Sequence, residues 1–106
     1  MRKSLIALTL VMLAGIGNAN AADYTITSKD GKFDPAAITV PAGQKIKLTV
    51  KNESKDVVEF ESYDLDREQK IQPGESTDIY VGPLNAGEYP FFDDKNEDAK
   101  GTITAQ

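Results

Sequence analysis

Turn signals divide this chain at roughly every 8–12 residues, and between them nothing sustains the apolar period of about 3.6 residues that a helix needs. The breaks fall at Asp30-Gly31, Pro41-Ala42-Gly43, Pro73-Gly74 and Asn85-Ala86-Gly87. The stretches between them alternate instead. In Gln44–Asn52, Ile46, Leu48 and Val50 face one way, while Lys45, Lys47, Thr49 and Lys51 face the other. That is the pattern of a strand with one dry face and one wet face. Tyr24–Lys29 and Ser76–Val81 alternate in the same manner, and Ile38 and Val40 mark a shorter strand. The spacing predicts an all-β sandwich or barrel. Tyr63–Lys70 is charged and aperiodic, and is expected to form a helical turn or an irregular excursion. Pro90 falls inside a strand pattern, so it is expected at an edge or a bulge, where its missing N–H costs no ladder bond.

Two acidic stretches stand out against this frame. The last hairpin is expected to run as strand Gly87–Phe92, an acidic loop Asp93–Asp98 and strand Gly101–Ala105. Four of the six loop residues are carboxylates: Asp93, Asp94, Glu97 and Asp98. Upstream, Val57–Ser62 places Glu59 and Glu61 on one strand face, about 7 Å apart at two strand rises. A solvated surface accounts for that pair taken alone. Two carboxylate groups brought to one place, however, repel and raise each other's pKa unless a cation lies between them. Arg67-Glu68 has the chemistry to orient a carboxylate ligand, although exposed pairs of this kind are common and weak.

The first residues carry an address rather than a fold. Arg2 and Lys3 precede an apolar run, Leu5–Leu13, and Ala19-Asn20-Ala21 supplies small residues at the spacing of a cleavage site. That is the grammar of a secretory signal peptide over residues 1–21, leaving a single domain over 22–106. The apolar run is shorter than the roughly 20 residues that span a bilayer, so no membrane insertion of the mature chain is expected. The expected location is the periplasm. Loss of Arg2 and Lys3 would make a chain of net charge −5 more negative still. Such a domain repels phosphate backbones, so no nucleic-acid partner is expected. Both methionines, Met1 and Met12, lie in the signal segment, and the chain contains no Cys, His or Trp. No disulfide can brace the fold, and no thiol or imidazole is available for nucleophilic or soft-metal chemistry.

A set of short motifs in fixed order resembles a known family. They are Lys32-Phe33-Asp34-Pro35, Ile38-Thr39-Val40-Pro41-Ala42-Gly43, Asn52, Glu59-Phe60-Glu61 and Ile71-Gln72-Pro73-Gly74. Gly82-Pro83-Leu84, Gly87-Glu88-Tyr89-Pro90-Phe91-Phe92-Asp93 and Ala99-Lys100-Gly101 complete the set. From about Phe33 to Ala105 the chain resembles the cupredoxin-like domains of bacterial iron-uptake systems, of the EfeO type and of the partner of Ftr-type permeases. The resemblance implies a cupredoxin-like Greek-key β-sandwich of seven to nine short strands. It places Glu59 where electron-transfer cupredoxins hold a His, Asp93 where they hold the Cys, Asn96 near the second His and Ala99 at the weak axial Met. The Cys that EfeO-type relatives carry near the Phe33 position is also missing. Type 1 copper needs thiolate and imidazole and is excluded by composition.

The donors that remain are oxygens, which suit hard cations, and ferric iron better than ferrous. The expected ligands are Glu59, Glu61 and Asp93, with Asp94, Glu68 and Asp34 as second choices. Asp93 and Asp94 are adjacent, so in a regular strand only one of them can join Glu59. The leading expectation is a periplasmic iron-binding protein that assists ferrous iron oxidation or delivery. The resemblance implies an inner-membrane iron permease and its periplasmic partner proteins as partners. The alternative is a metal-free interaction module of the same assembly. A copper ferroxidase is the third reading, and the composition opposes it most strongly.

Overall fold

The computed structural model describes residues 21–106, so the expected signal peptide lies, but for Ala21, outside the described residues. Nine strands follow in order: β1 Ala22–Lys29, β2 Lys32–Asp34, β3 Ala37–Val40, β4 Ile46–Asn52, β5 Val58–Ser62, β6 Arg67–Ile71, β7 Ser76–Val81, β8 Gly87–Asp93 and β9 Asn96–Ala105. They form a four-stranded sheet, β2-β1-β4-β7, and a five-stranded sheet, β3-β9-β8-β5-β6. The β1–β4 and β3–β9 pairs are parallel, and the other ladders are antiparallel. This is an all-β sandwich, one of the two classes the turn spacing predicts, and it is consistent with the Greek key that the resemblance implies. Among the described residues no helix is long and apolar enough to cross a membrane.

Local chemistry explains the elements. Asp30 (φ 55°) and Gly31 (φ 75°) both take the left-handed backbone that a two-residue hairpin of matching twist requires, and they fold β2 back onto β1. Along β4 the alternation holds as read: Ile46, Leu48 and Val50 are fully buried, and Lys51 is exposed. The two sheets meet around three phenylalanines. Phe60 on β5 stacks on Phe91 on β8 at 5.2 Å between ring centroids. Phe33, reaching across from β2 of the other sheet, meets Phe91 edge-on at 5.2 Å and Phe60 at 6.2 Å. Such pairs contribute about 0.5–1.5 kcal/mol each beyond the area they bury. Ile26, Ile71, Ile79, Val81 and Ile103 pack around them.

Three boundaries differ from the sequence reading. The irregular stretch is confined to the turn Tyr63–Asp66, closed by the Asp66 amide donating to the Tyr63 carbonyl, 3.1 Å. Arg67–Ile71 is then a strand, β6, on the edge of its sheet. Its first four residues are all exposed, so no alternation announced it. The acidic loop is also shorter than expected. Only Asp94 and Lys95 stand outside strands, and Glu97 and Asp98 belong to the extended start of β9. Lys32–Asp34 is too short a strand to show a period.

Pro90 has a physical solution. In a strand, the N–H and C=O of one residue point to the same side. The Pro90 carbonyl accepts from Ser62 Oγ at 2.7 Å, so its nitrogen also faces β5. The β5–β8 ladder pairs only Phe92 with Glu61 and Asp93 with Phe60. Proline thus occupies a stretch of β8 where β5 asks for no amide, and the Ser62 hydroxyl serves the carbonyl instead.

Candidate functional site

Asn52 prepares the end of the sandwich where the acidic residues gather. It continues the inward-facing series Ile46, Leu48, Val50 on β4 and is 1% exposed. Its Nδ2 donates to the carbonyls of Asp56 (2.8 Å) and Ile71 (2.9 Å). Its Oδ1 accepts from the Ser54 amide (2.9 Å) and hydroxyl (2.6 Å). All of its side-chain polar capacity is used, as a buried amide requires. The loop between β4 and β5 is folded around this one side chain. Its inward parity was readable from the sequence. Ser62, also buried, follows from the same rule on the Val58, Phe60, Ser62 face; its hydroxyl bonds Pro90 and accepts from the Leu65 amide at 3.2 Å.

Asp93 ends β8 and is 5% exposed. It pairs across the ladder with Phe60, which faces the core, so Asp93 is directed to the inner side of its sheet. Its Oδ1 accepts from the backbone amides of Glu59 and Lys95, both at 2.9 Å. The Asp94 amide returns a bond to the Glu59 carbonyl at 2.8 Å. One carboxylate therefore stitches the start of β5 to the turn that leads into β9. Asp93 also borders a cleft of about 200 Å³ together with Ser28, Ser54, Asp56, Val58 and Asn96.

Glu59 reaches Asp93 through its backbone, not through its carboxylate. Strand parity turns Glu59 and Glu61 to the outer face, and it is Val58 that shares the inner cleft with Asp93. Asp34 stands apart on exposed β2, in the other sheet. Glu59, Glu61, Glu68 and Asp94 do come together. Glu61 faces Glu68 directly across the β5–β6 ladder, and the Glu68 carboxyl hydrogen-bonds Glu59 on the diagonal. That hydrogen bond, followed by the charges of Glu61 and Glu59, raises the Glu68 pKa above its ordinary value. Glu61 is raised as well, by partial desolvation against the sheet and then by Asp94 and Glu59. Lys70 faces Glu59 across the β5–β6 ladder without forming an ion pair with it; among the described residues the ion pair present is Lys47–Asp78, on the other sheet, at 3.9 Å. Arg67 does not orient these acids, since its guanidinium donates to the carbonyls of Tyr80 (2.8 Å) and Asp66 (2.9 Å). Among the described residues, no group of three or more Asp or Glu side chains is assembled to hold a metal ion.

The outer face continues past the acids. The row Glu68, Glu61, Phe92, Lys100 crosses β6, β5, β8 and β9 in register. Tyr63, 76% exposed, lies tilted on Phe92 at 5.5 Å. Together with Pro90, Glu97, Lys100 and Thr102 they border an open cleft of about 500 Å³. The charge of Glu61 is the largest influence on the Tyr63 phenol and raises its pKa; partial desolvation, Asp94, Glu97 and Glu68 add to it.

The sequence profile of the cupredoxin-like domain family matches residues 4–105. The chain belongs to this family. An uncharacterized protein of Rickettsia prowazekii (strain Madrid E) is 42% identical over 87 residues, covering 81% of this chain and 70% of that one. Among solved structures, the metal-binding domain of the Cu(I)-exporting P-type ATPase CopA of Streptococcus pneumoniae D39, in complex with Cu(I), superposes with a TM-score of 0.69 at 20% identity, covering 79% of this chain and 84% of that one. Reduced auracyanin of Roseiflexus castenholzii gives 0.67 at 20%, covering 82% and 99%. A purple cupredoxin of Nitrosopumilus maritimus gives 0.60 at 15%, covering 82% and 100%. At these identities the likeness is one of fold.

Copper, which the cupredoxin fold brings to mind, does not fit the residues at this end of the domain. The inner cleft presents Asp93, Val58, Asn96 and Ser54, with no sulfur or imidazole donor. Asp93 is already engaged by two backbone amides. Soft and borderline copper sites need thiolate, thioether or imidazole.

Proposed function

We propose that this cupredoxin-like protein is an exported interaction module of a metal-transport assembly, iron transport first among the candidates. It would work at the periplasmic face of the inner membrane beside a permease and its partner proteins. The observation that carries this reading is Asp93. The carboxylate at the end of β8 is a structural tie between two backbone amides, while Glu68 and Glu97 are displayed outward on a sheet face beside exposed Tyr63 and half-buried Phe92. A fold arranged in this way offers a surface. Its test is retention on a partner in the cell. The full chain, tagged and chemically cross-linked in its own cells, is expected to recover a defined inner-membrane protein; recovery of the free protein alone opposes the module reading.

A second reading, hard-cation binding, is favoured by the Glu59–Glu68 carboxyl contact. Two carboxylates held close together repel, and a cation between them relieves that repulsion. Glu61 and Asp94 stand near enough to contribute charge, and oxygen donors suit ferric iron or manganese. Adding Fe²⁺ under controlled redox conditions, Mn²⁺ or Cu²⁺ at pH 7 distinguishes the two readings. Cation binding raises the melting temperature, and Glu59→Gln with Glu68→Gln removes the rise. The module reading expects no such shift.

A further inference from the structure

We infer that the cleft under Tyr63 and Phe92 is a docking site for a basic polypeptide segment, one that presents an aromatic or aliphatic side chain flanked by Lys or Arg. The inference rests on the module reading and deepens it by naming the site and the partner's chemistry. The cleft has an apolar centre and a charged surround. Tyr63 lies tilted against Phe92 at 5.5 Å, and Pro90 extends the apolar surface along β8. Its volume of about 500 Å³ is in the range that accepts a large side chain with its neighbours. Tyr63 is 76% exposed among the described residues. An aromatic pair left open in this way matches the residue types that dominate binding energy in interface centres.

The surround selects the occupant. Glu97 borders the cleft, and Glu61 and Glu68 continue the row from Phe92 across β5 and β6, whereas Lys100 is the cation bordering the cleft. Cationic side chains would relieve repulsion already present between Glu61 and Glu68, which face each other across the ladder. Arg or Lys can also lie on the exposed face of Tyr63, where the ring attracts a cation. The same field repels an anionic membrane surface or a nucleic acid. A second copy of this chain would bring a net charge of −5 against it. Complementary charge sets the approach and orientation, and the aromatic pocket sets the residence time.

The test uses the ¹⁵N-labelled protein prepared from the full chain and three synthetic pentapeptides as probes. They are Lys-Arg-Phe-Arg-Lys, the same peptide with Gly for Phe, and Gln-Gln-Phe-Gln-Gln. The first is expected to bind saturably, with amide shifts concentrated at Tyr63, Phe92, Glu97 and Gly101. Either control should bind at least roughly tenfold more weakly. Raising salt from about 20 mM to about 200 mM should weaken binding, because the rim charges are exposed. Tyr63→Ser should weaken it roughly tenfold, and its exposure leaves the core unchanged. Glu61→Gln with Glu97→Gln should weaken binding and flatten the salt dependence. The inference is overturned by shifts centred elsewhere, by equal binding of the Gly peptide, or by an unaffected Tyr63→Ser protein. Absence of saturation below about 1 mM also overturns it, as does a concentration-dependent dimer whose contacts cover Tyr63. If cross-linking in cells still recovers a membrane partner in those cases, the module reading stands and only this site falls.

Discussion

Asp93 is a buried acid whose Oδ1 accepts from two backbone amides, and that arrangement decides what its substitution should do. Asp93→Asn keeps an oxygen that can accept from the Glu59 and Lys95 amides but loses the charge that strengthens both bonds. Asp93→Ala loses the acceptor and leaves those amides without it. Denaturant unfolding should therefore show a graded series, with Ala destabilising by about 1–3 kcal/mol and Asn by less. Hydrogen exchange should accelerate at the Glu59 and Lys95 amides before it does elsewhere. A series in which Asn is as damaging as Ala would instead mean that the charge is required for itself. Asn52 makes the same argument with more bonds. Asn52→Ala removes partners from the Asp56 and Ile71 carbonyls and from Ser54, and should cost about 2–3 kcal/mol by urea denaturation. Sequence parity already pointed Asn52 inward. Parity could not show that Asp93 also turns inward, away from the Glu59 carboxylate. That follows from its pairing with Phe60, and cross-strand register is invisible in one strand's sequence.

The strands themselves were readable wherever one face is wet and the other dry. β1, β4, β7 and the first half of the last hairpin all alternate, and each lies close to where the pattern put it. β6 was not readable, because exposure of four of its five residues erases the period. The extended start of β9 was hidden for a related reason. Asn96, Glu97 and Asp98 are exposed in the strand, so their charge reads as a loop. Gly101 is the element-scale residue the sequence presented as a strand start, and it lies well inside β9. It pairs with Phe91, and a Cβ there would overlap the Ala36 carbonyl and stand 2.5 Å from Phe91 Cζ. The Ala36 carbonyl accepts from the Thr102 amide at 2.8 Å, tying the lead-in to β3 onto β9. Gly101→Ala must displace either that junction or the central phenylalanine, and is expected to cost about 2–3 kcal/mol. Near-ultraviolet circular dichroism of the aromatic cluster should change along with the denaturation midpoint. An unchanged midpoint would mean that the β3 lead-in yields freely.

At the scale of the whole molecule, one sheet face sets Glu61 against Glu68 without an ion pair, in a protein that is already acidic overall. Clustering of carboxylates was legible in the sequence as composition. Which of them meet was not, because Glu68 reaches Glu59 and Glu61 only through the β5–β6 pairing. Glu61 and Glu68 both hold their protons more tightly in the folded protein than at the ordinary value of 4.5. The folded state therefore binds more protons than the unfolded state over that interval, and stability falls as pH rises through it. Below about 4.5 both groups are protonated in both states and this penalty is absent. It develops as pH rises through the unfolded value and is complete once pH exceeds the raised folded values. Glu61→Gln with Glu68→Gln removes the two charges while keeping side chains of the same shape. Without added metal or partner, the double variant should melt higher than the parent at pH 7, because the parent carries the penalty above its raised folded values. The difference should shrink as pH is lowered from 7 toward the ordinary value of 4.5, as the parent regains its protons. It should also shrink in about 0.5 M salt, since these side chains are exposed to screening. Thermal unfolding of the two proteins side by side across this range measures it directly. A variant that melts lower than the parent at pH 7, or a difference that does not change with pH, would show that the outward acids do not strain the fold, and the electrostatic case for a cationic partner on this face would go with it.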